Sequence, residues 1–507
     1  MSKRNEVLQA IGGLLCLLVG AFLALYPARR YAERRYWVDA GSCSMDVVLV
    51  SRTDQLAQPS TGSVVLLHGL AANNIIMEYL ARAFANEGLR VFVPDLAGHG
   101  RSPGPFTPEN AESCAGSLLR GLAARGMIVP DRTILAGHSM GGAIALRLAE
   151  RFRPAGVIAI SPAPMIPAHG VIHENLLFHT LPNPTANTRI LVGQYDLPGL
   201  KDDAADLAAH SPADVHYSVV PGNSHVSVLF SPTVAREAQD WAAGALSLPG
   251  RSYELPSHAN LWGCALGIVG LLLIAGPFLR EMVGNEAAIE SDGTRNKKVV
   301  PVRAVVEVAL LSVFAVHVLP YWQPLRVLHL FEGGYLASFF LIVGTGLLLL
   351  HLSMVRETMR TRTMLLFAAG FAAVLLHFLI TGWFELTASG AWLTWHRWAR
   401  FPLFLLSSFV FLYGLEILAG PVENARRRYA FWLSLIVVAW LALAGGVLYL
   451  RTGEILLVLL ALYFAVFFLL AGLGIQLVRR NSGSAPAAAL FGAILLSGFC
   501  LVLFPLS

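Results

Sequence analysis

The residues best suited to chemistry are Gly137-His138-Ser139-Met140-Gly141, with Gly142 directly after them. A serine hydroxyl is a weak nucleophile until a neighbouring base takes its proton. On a sharp turn between a strand and a helix, with tiny residues on either side, the hydroxyl stands clear of the backbone. The start of the helix then favours negative charge beside it. The chemistry expected of Ser139 is attack on an acyl carbon. Such a site needs a base and an acid, and behind a Gly-x-Ser-x-Gly turn between strand and helix they follow in the chain order serine, acid, histidine. Asp196 in Gly193-Gln194-Tyr195-Asp196 and His225 in Gly222-Asn223-Ser224-His225 each follow a short apolar run. His225 is expected to be the base, with Asp196 fixing its tautomer and stabilising the imidazolium. Asp202, Asp203 and Asp206 are rival acids, but they read better as a cluster at a helix N-terminus. His210 and His216 lack the loop context.

A tetrahedral intermediate needs hydrogen-bond donors for its oxyanion. One expected donor is the N–H of Met140, the residue after the nucleophile. The other is the N–H of Leu70, in His68-Gly69-Leu70, where Gly69 lets the backbone approach closely. His68, Gly69, His138 and Met165 are expected to line the substrate, although His138, beside the nucleophile, also reads as structural.

The elements that must position these groups follow from the pattern. Apolar runs at 64–67, 91–93, 133–136, 157–160, 189–192 and 217–220 read as strands. Helical patterns near 75–86, 109–125, 140–152 and 231–245 alternate with them. Alternation of this kind predicts a mostly parallel sheet with helices on both faces, and catalytic groups gather at the carboxyl ends of its strands.

The segments Leu66-Leu67-His68-Gly69-Leu70, Pro94-Asp95-Leu96-Ala97-Gly98-His99-Gly100-Arg101-Ser102, Gly137-His138-Ser139-Met140-Gly141-Gly142 and Gly222-Asn223-Ser224-His225 resemble the α/β-hydrolase superfamily. They are closest to its esterase, lipase and monoacylglycerol-lipase-like members. The resemblance covers residues 45–245 and implies Ser139 as nucleophile, Asp196 as acid, His225 as base, and Leu70 and Met140 as oxyanion donors. Relatives with aspartate at the nucleophile position, dehalogenases and epoxide hydrolases, are disfavoured by the serine. Many relatives insert a large lid before the acid. Here only residues 162–189 fill that gap, with Met165, Ile166, Leu176, Leu177, Phe178 and Leu181 among them, which reads as a short apolar flap or a packed surface loop.

Composition says what surrounds this domain. The chain of 507 residues is 55% hydrophobic and 14% charged. Soluble domains carry nearly twice that charge. A purely soluble protein, a disordered chain and a basic nucleic-acid binder are all excluded. Residues 37–258 carry 14 Lys/Arg against 19 Asp/Glu, while the rest carries 23 against 13. Nine apolar runs are long enough to cross a bilayer. They lie at 7–26, 260–279, 302–320, 333–351, 364–384, 401–420, 430–450, 455–478 and 486–506. The expected plan is a membrane helix at 7–26, an α/β-hydrolase domain at 40–250 and an all-α, eight-helix transmembrane domain at 259–507. The first run also has features of a signal peptide, but the absence of a clear cleavage site favours an uncleaved anchor.

Alternate loops after the second span carry 13 Lys/Arg against 4 on the opposite side. By the positive-inside rule, this puts the hydrolase domain on the extracytoplasmic side of a multi-pass cell membrane, expected to be a bacterial cytoplasmic membrane. Arg29, Arg30, Arg34 and Arg35 argue the other way. Cys43 and Cys114 are the two cysteines of the outer domain and would pair in an oxidising compartment. Glu307, His317, His377 and Glu416 are ionisable groups inside spans. There is no H-E-x-x-H, no Cys-x-x-Cys and no Gly-rich nucleotide loop, so neither metal nor cofactor is expected. The expected partners are the lipid bilayer and a lipid or small acyl ester, with no nucleic acid. The function these features predict is a membrane-embedded serine ester hydrolase. An acyltransferase with the same triad, or a transporter or scaffold carrying a hydrolase-like domain, is the alternative.

Overall fold

The computed structural model describes residues 3–55, 60–163, 182, 184, 187–211, 214–248, 252–284, 300–359, 363–388 and 393–507. The chain divides into two compact units. One comprises residues 1–20, 265–384 and 392–504; the other comprises 21–264, 385–391 and 505–507.

The second unit is built on an eight-stranded sheet. After helix α1 (Lys3–Ala28) come β1 (Tyr31–Ala40), β2 (Cys43–Arg52), β3 (Ser63–Leu67), α2 (Glu78–Asn86), β4 (Arg90–Pro94), α3 (Pro108–Ala124), β5 (Thr133–His138) and α4 (Met140–Phe152). Then follow β6 (Gly156–Ile160), β7 (Thr188–Tyr195), α5 (Pro198–His210), β8 (Val215–Ser224) and α6 (Pro232–Ala245). The strand order is β1-β2-β4-β3-β5-β6-β7-β8. β1, β2 and β4 pair antiparallel, and every other neighbouring pair is parallel. β3 (SVVLL), β5 and β6 are buried at every residue. That is what a strand covered on both faces requires, and it explains their unbroken apolar runs. Helix α4 begins at the carboxyl end of β5 and buries Ile144, Leu146 and Leu148. The mostly parallel sheet expected from the sequence is therefore present.

Two elements were not expected. Tyr31–Ala40 and Cys43–Arg52 form a hairpin, closed by a two-residue turn at Gly41 and Ser42, with Gly41 at φ 66°. A positive φ in such a turn suits glycine, and the turn's twist matches the strands. β1 is an edge strand carrying Glu33, Arg34 and Arg35, charges that discourage further pairing. Arg34 and Arg35 thus belong to a folded strand, so they carry less weight as a topology signal than their sequence position suggested. Helix α5 places Asp202, Asp203 and Asp206 beyond its first turn, which corrects their reading as a helix N-terminal cluster.

Nine helices among the described residues are long and apolar enough to cross a membrane. They are α1, α7 (Ala259–Gly284), α8 (Pro301–Val318), α9 (Gly333–Leu350), then, after short α10 (Leu352–Thr358), α11 (Thr363–Ala388). Past short α12 (Trp395–Trp398) come α13 (Phe401–Ala419) and α14 (Ala425–Leu450), and past short α15 (Ile455–Leu459) come α16 (Ala461–Ser482) and α17 (Ala485–Leu503). The expected span at 455–478 is interrupted at Leu460, which joins α15 to α16. Within the first unit, α13 packs on α9 and α17, and α14 packs on α8. Glu416 on α13 is fully buried and accepts from Gln476 Nε2 at 3.1 Å. Glu307 on α8 accepts from Arg303 Nε and from His351 Nε2, both at 2.8 Å. These polar contacts satisfy groups that would otherwise be costly among apolar helices.

Cys43, at the start of β2, is bonded to Cys114 on α3, with Cα atoms 5.4 Å apart. The bond ties the antiparallel edge of the sheet to a covering helix across 71 residues. Chain-entropy arithmetic for a loop of that size gives about 4 kcal/mol of stabilisation. The Cys43→Ser/Cys114→Ser variant should therefore melt about 10 °C lower in detergent. An unchanged melting temperature would show that the bond does not constrain the domain.

Candidate active site

Ser139 joins β5 to α4 with φ 52° and ψ −122°. A non-glycine residue in this region is strained and is held there only by its surroundings. Its N–H donates to Ile160 O at 2.9 Å, and its carbonyl accepts from Ala143 N at 3.0 Å and Ala163 N at 3.1 Å. The crossing of strand and helix is very close. A Cβ on Gly137 would lie 2.3 Å from Gly141 O, and one on Gly141 would lie 2.3 Å from Leu67 O. No side chain fits at either position, which is the physical reason for glycine two residues before and two residues after the serine.

The structure brings Ser139, His225 and Asp196 together. The Ser139 hydroxyl lies 3.0 Å from His225 Nε2, and His225 Nδ1 lies 2.8 Å from Asp196 Oδ1. An ionised carboxylate can only accept, so Nδ1 carries the proton and Nε2 is left free to accept from the serine. Burial pushes the Asp196 carboxyl up, but the hydrogen bond and charge of His225 and the Leu197 amide outweigh it and hold it below the usual carboxylate value. The Leu197 N–H donates to Asp196 Oδ1 at 2.8 Å. Asp196 directly follows β7 and His225 directly follows β8, so neighbouring parallel strands deliver both groups to one end of the sheet.

His138 is buried, and its Nε2–H donates to the backbone carbonyl of His225 at 2.7 Å. The two imidazole centroids are 4.9 Å apart. His138 thus acts on the position of His225. His68 is fully buried; its Nδ1–H donates to Gly69 O at 2.8 Å, and its Nε2 accepts from Leu96 N at 2.9 Å. With both nitrogens engaged by backbone, His68 fixes the turn that carries Gly69 and Leu70. A Cβ on Gly69 would be 3.0 Å from Ser139 Cβ, so this turn lies directly against the serine. Met140 is the first residue of α4, and its N–H has no partner within the helix. Met165 and the apolar segment 164–181 lie outside the described residues. His210 and His216 sit elsewhere: His210 Nδ1–H donates to Asp206 O, and His216 pairs with Asp214.

Sequence reasoning missed Asp95. Its Oδ1 accepts from Asn74 N and its Oδ2 from Arg101 N, both at 2.8 Å. One buried carboxylate therefore locks the loop after β4 to the chain beyond Leu70. The available signal was Pro94-Asp95 followed by two glycines at positive φ, Gly98 at 77° and Gly100 at 49°, which curl the loop back onto the carboxylate.

Burial pushes the His68 imidazole down to about 4 and that of His138 down to about 3. Both are neutral when folded, whereas in the unfolded chain they protonate near 6.5. Their contribution to stability is complete above that value and is lost as pH falls from 6.5 towards 4, by about 3 kcal/mol each. Amide exchange of strands 63–67 and 133–138 in the full-length protein should speed up on acidification over that window, and less so in His68→Asn. Protection corrected for intrinsic exchange that stays flat from pH 7 to pH 4 would contradict this.

Residues 58–217 match the family model described as serine aminopeptidase, S33. Over 175 residues the chain is 26% identical to an uncharacterized protein of Mycobacterium tuberculosis, an alignment covering 32% of this chain and 62% of the relative. It is 33% identical over 94 residues to the AB hydrolase superfamily protein YisY of Bacillus subtilis, covering 18% of this chain and 34% of that protein. The chain thus spans less than two thirds of the curated relatives it matches. Among solved structures, a thermophilic esterase from Thermogutta terrifontis is 18% identical, with a TM-score of 0.33, over 42% of this chain and 99% of its own. Est1E from Butyrivibrio proteoclasticus is 14% identical, with a TM-score of 0.34, over 42% and 99% respectively. The chain therefore joins helices suited to a membrane to an α/β-hydrolase domain, similar over residues 58–217 to the S33 serine aminopeptidases.

Proposed function

We propose that this protein is a membrane-embedded serine hydrolase that cleaves carboxylic esters, with lipids or other apolar acyl esters as substrates. The observation that carries this reading is the continuous line from the Ser139 hydroxyl to His225 Nε2 at 3.0 Å and from His225 Nδ1 to Asp196 at 2.8 Å. Ser139 Oγ attacks the ester carbonyl carbon while His225 Nε2 takes its proton. Asp196 holds the imidazole in the required tautomer and stabilises its charge. The N–H groups of Met140 and Leu70 receive the oxyanion; a donor of this kind is worth 10²–10³-fold in rate, an order-of-magnitude figure. The imidazolium returns the proton to the leaving alcohol, leaving the acyl group on Ser139. Water, deprotonated by His225, then releases the acid and restores the hydroxyl.

The preference for apolar acyl groups is supported by the company the domain keeps. Helices long and apolar enough to cross a bilayer share the chain with it, so esters dissolved in lipid are the substrates at hand. An extracytoplasmic position is supported by two observations. Every second loop after the second span is rich in Lys/Arg, so the excess falls on one side, and the Cys43–Cys114 bond suits an oxidising compartment.

A fluorophosphonate probe should label the full-length protein at Ser139, and Ser139→Ala should abolish labelling. Asp196→Asn should retain the fold and lower ester turnover by about 10⁴-fold. Among p-nitrophenyl esters, the octanoate should give a higher kcat/KM than the acetate. Labelling that survives Ser139→Ala would remove this serine from the mechanism, and a preference for acetate would remove the apolar substrate.

A further inference from the structure

Within the second unit, away from Ser139, lies a cavity of about 170 Å³ lined by residues of unlike character. Leu25 and Ala28 of α1 and Leu386 of α11 form an apolar wall. Glu33 of β1 and Glu78 and Arg82 of α2 form a charged one. Arg82 is 4% exposed. Its Nη2 donates to Glu33 Oε1 at 3.0 Å and also to Glu78 Oε1. The guanidinium lies over the Tyr31 ring, 5.1 Å from its centroid. Asn260 Nδ2 donates to the second oxygen of Glu78 at 3.4 Å.

Two features of this cluster point to a ligand. Two carboxylates share a single guanidinium: Glu33, whose side chain is 29% exposed, and Glu78, which is buried and pushed up to about 7 by that burial. A cation seated beside them would let both stay ionised. Arg82 Nε is buried, and its hydrogen has no acceptor in the protein. A buried donor left unmade is costly. A molecule that satisfies both must carry a cationic donor for the carboxylates and an anionic or neutral acceptor for Nε–H a few ångströms away. It must also tolerate an apolar neighbour. The apolar wall belongs to the ends of α1 and α11, two helices able to cross a membrane, and that is the depth at which headgroups lie.

We propose that this cavity holds the phosphoethanolamine headgroup of a membrane lipid. The ammonium lies against Glu33 and Glu78, a phosphate oxygen accepts from Arg82 Nε, and the glycerol end leaves along Leu25, Ala28 and Leu386. The site is separate from Ser139, so it stands whether or not the ester-hydrolase reading does.

The test uses full-length protein extracted from vesicles of phosphatidylethanolamine, phosphatidylcholine and phosphatidylglycerol in equal parts, with co-purifying lipid quantified by native mass spectrometry. Phosphatidylethanolamine should be retained preferentially. Glu33→Gln, on the more exposed carboxylate, should lower its retention about ten-fold, the effect of losing one charge-assisted hydrogen bond. Ala28→Leu, which fills the apolar wall without altering charge, should lower it as well, and both variants should label with fluorophosphonate as the parent does. Preferential retention of phosphatidylglycerol, retention unchanged in both variants, or displacement by soluble glycerophosphoethanolamine at equal concentration would each overturn the proposal.

Discussion

The crossing of β5 over α4 is the constraint on which the rest of the second unit depends. A strand turns into a helix through one residue at φ 52°, with the backbone so close that a single methyl group at Gly137 or Gly141 would collide with a carbonyl. The strain costs of order 1–3 kcal/mol, and the surrounding sheet over-determines it. The Ser139 amide is tied to β6 through Ile160, and its carbonyl is held by Ala143 and Ala163. The hydroxyl then stands at the carboxyl end of the parallel strands, the end to which β7 and β8 deliver Asp196 and His225. Order in this region is fixed by backbone hydrogen bonds, and the side chains inherit it.

A second layer keeps the parts in register. His68 accepts from Leu96, Asp95 accepts from Asn74 and Arg101, and His138 donates to the carbonyl of His225. These groups are buried, and their hydrogen bonds are made with the backbone. They convert three flexible loops into one assembly around Ser139. Side chains that position backbone are therefore as necessary to the site as the three that line up on the serine.

Much of this was legible in the sequence because the signals were local. The apolar runs 64–67 and 157–160 announce β3 and β6, and the glycines around Ser139 announce the turn. Strand ends followed by Asp196 and His225 announce the partners. What escaped was non-local or masked by charge. The first strand of the β1–β2 hairpin carries Glu33, Arg34 and Arg35 soon after an apolar helix, so it reads as a membrane-flanking loop. Only pairing with β2 makes it a strand. Asp95 and His68 were assigned no positioning role, because their partners are backbone amides whose positions no sequence pattern reveals. The helix carrying Asp202, Asp203 and Asp206 was anticipated but not its start, because Pro198 opens α5 ahead of the acidic cluster. The break at Leu460 is likewise hidden, since both sides of it are equally apolar.

The central claim is that Ser139 carries the acyl group during turnover. Incubating the full-length protein with excess p-nitrophenyl octanoate, quenching in acid and analysing the digest by mass spectrometry tests it directly. The account predicts an octanoyl mass on the peptide containing Ser139. Continued ester turnover with no acyl group on that peptide, or with the acyl group on another residue, would contradict it.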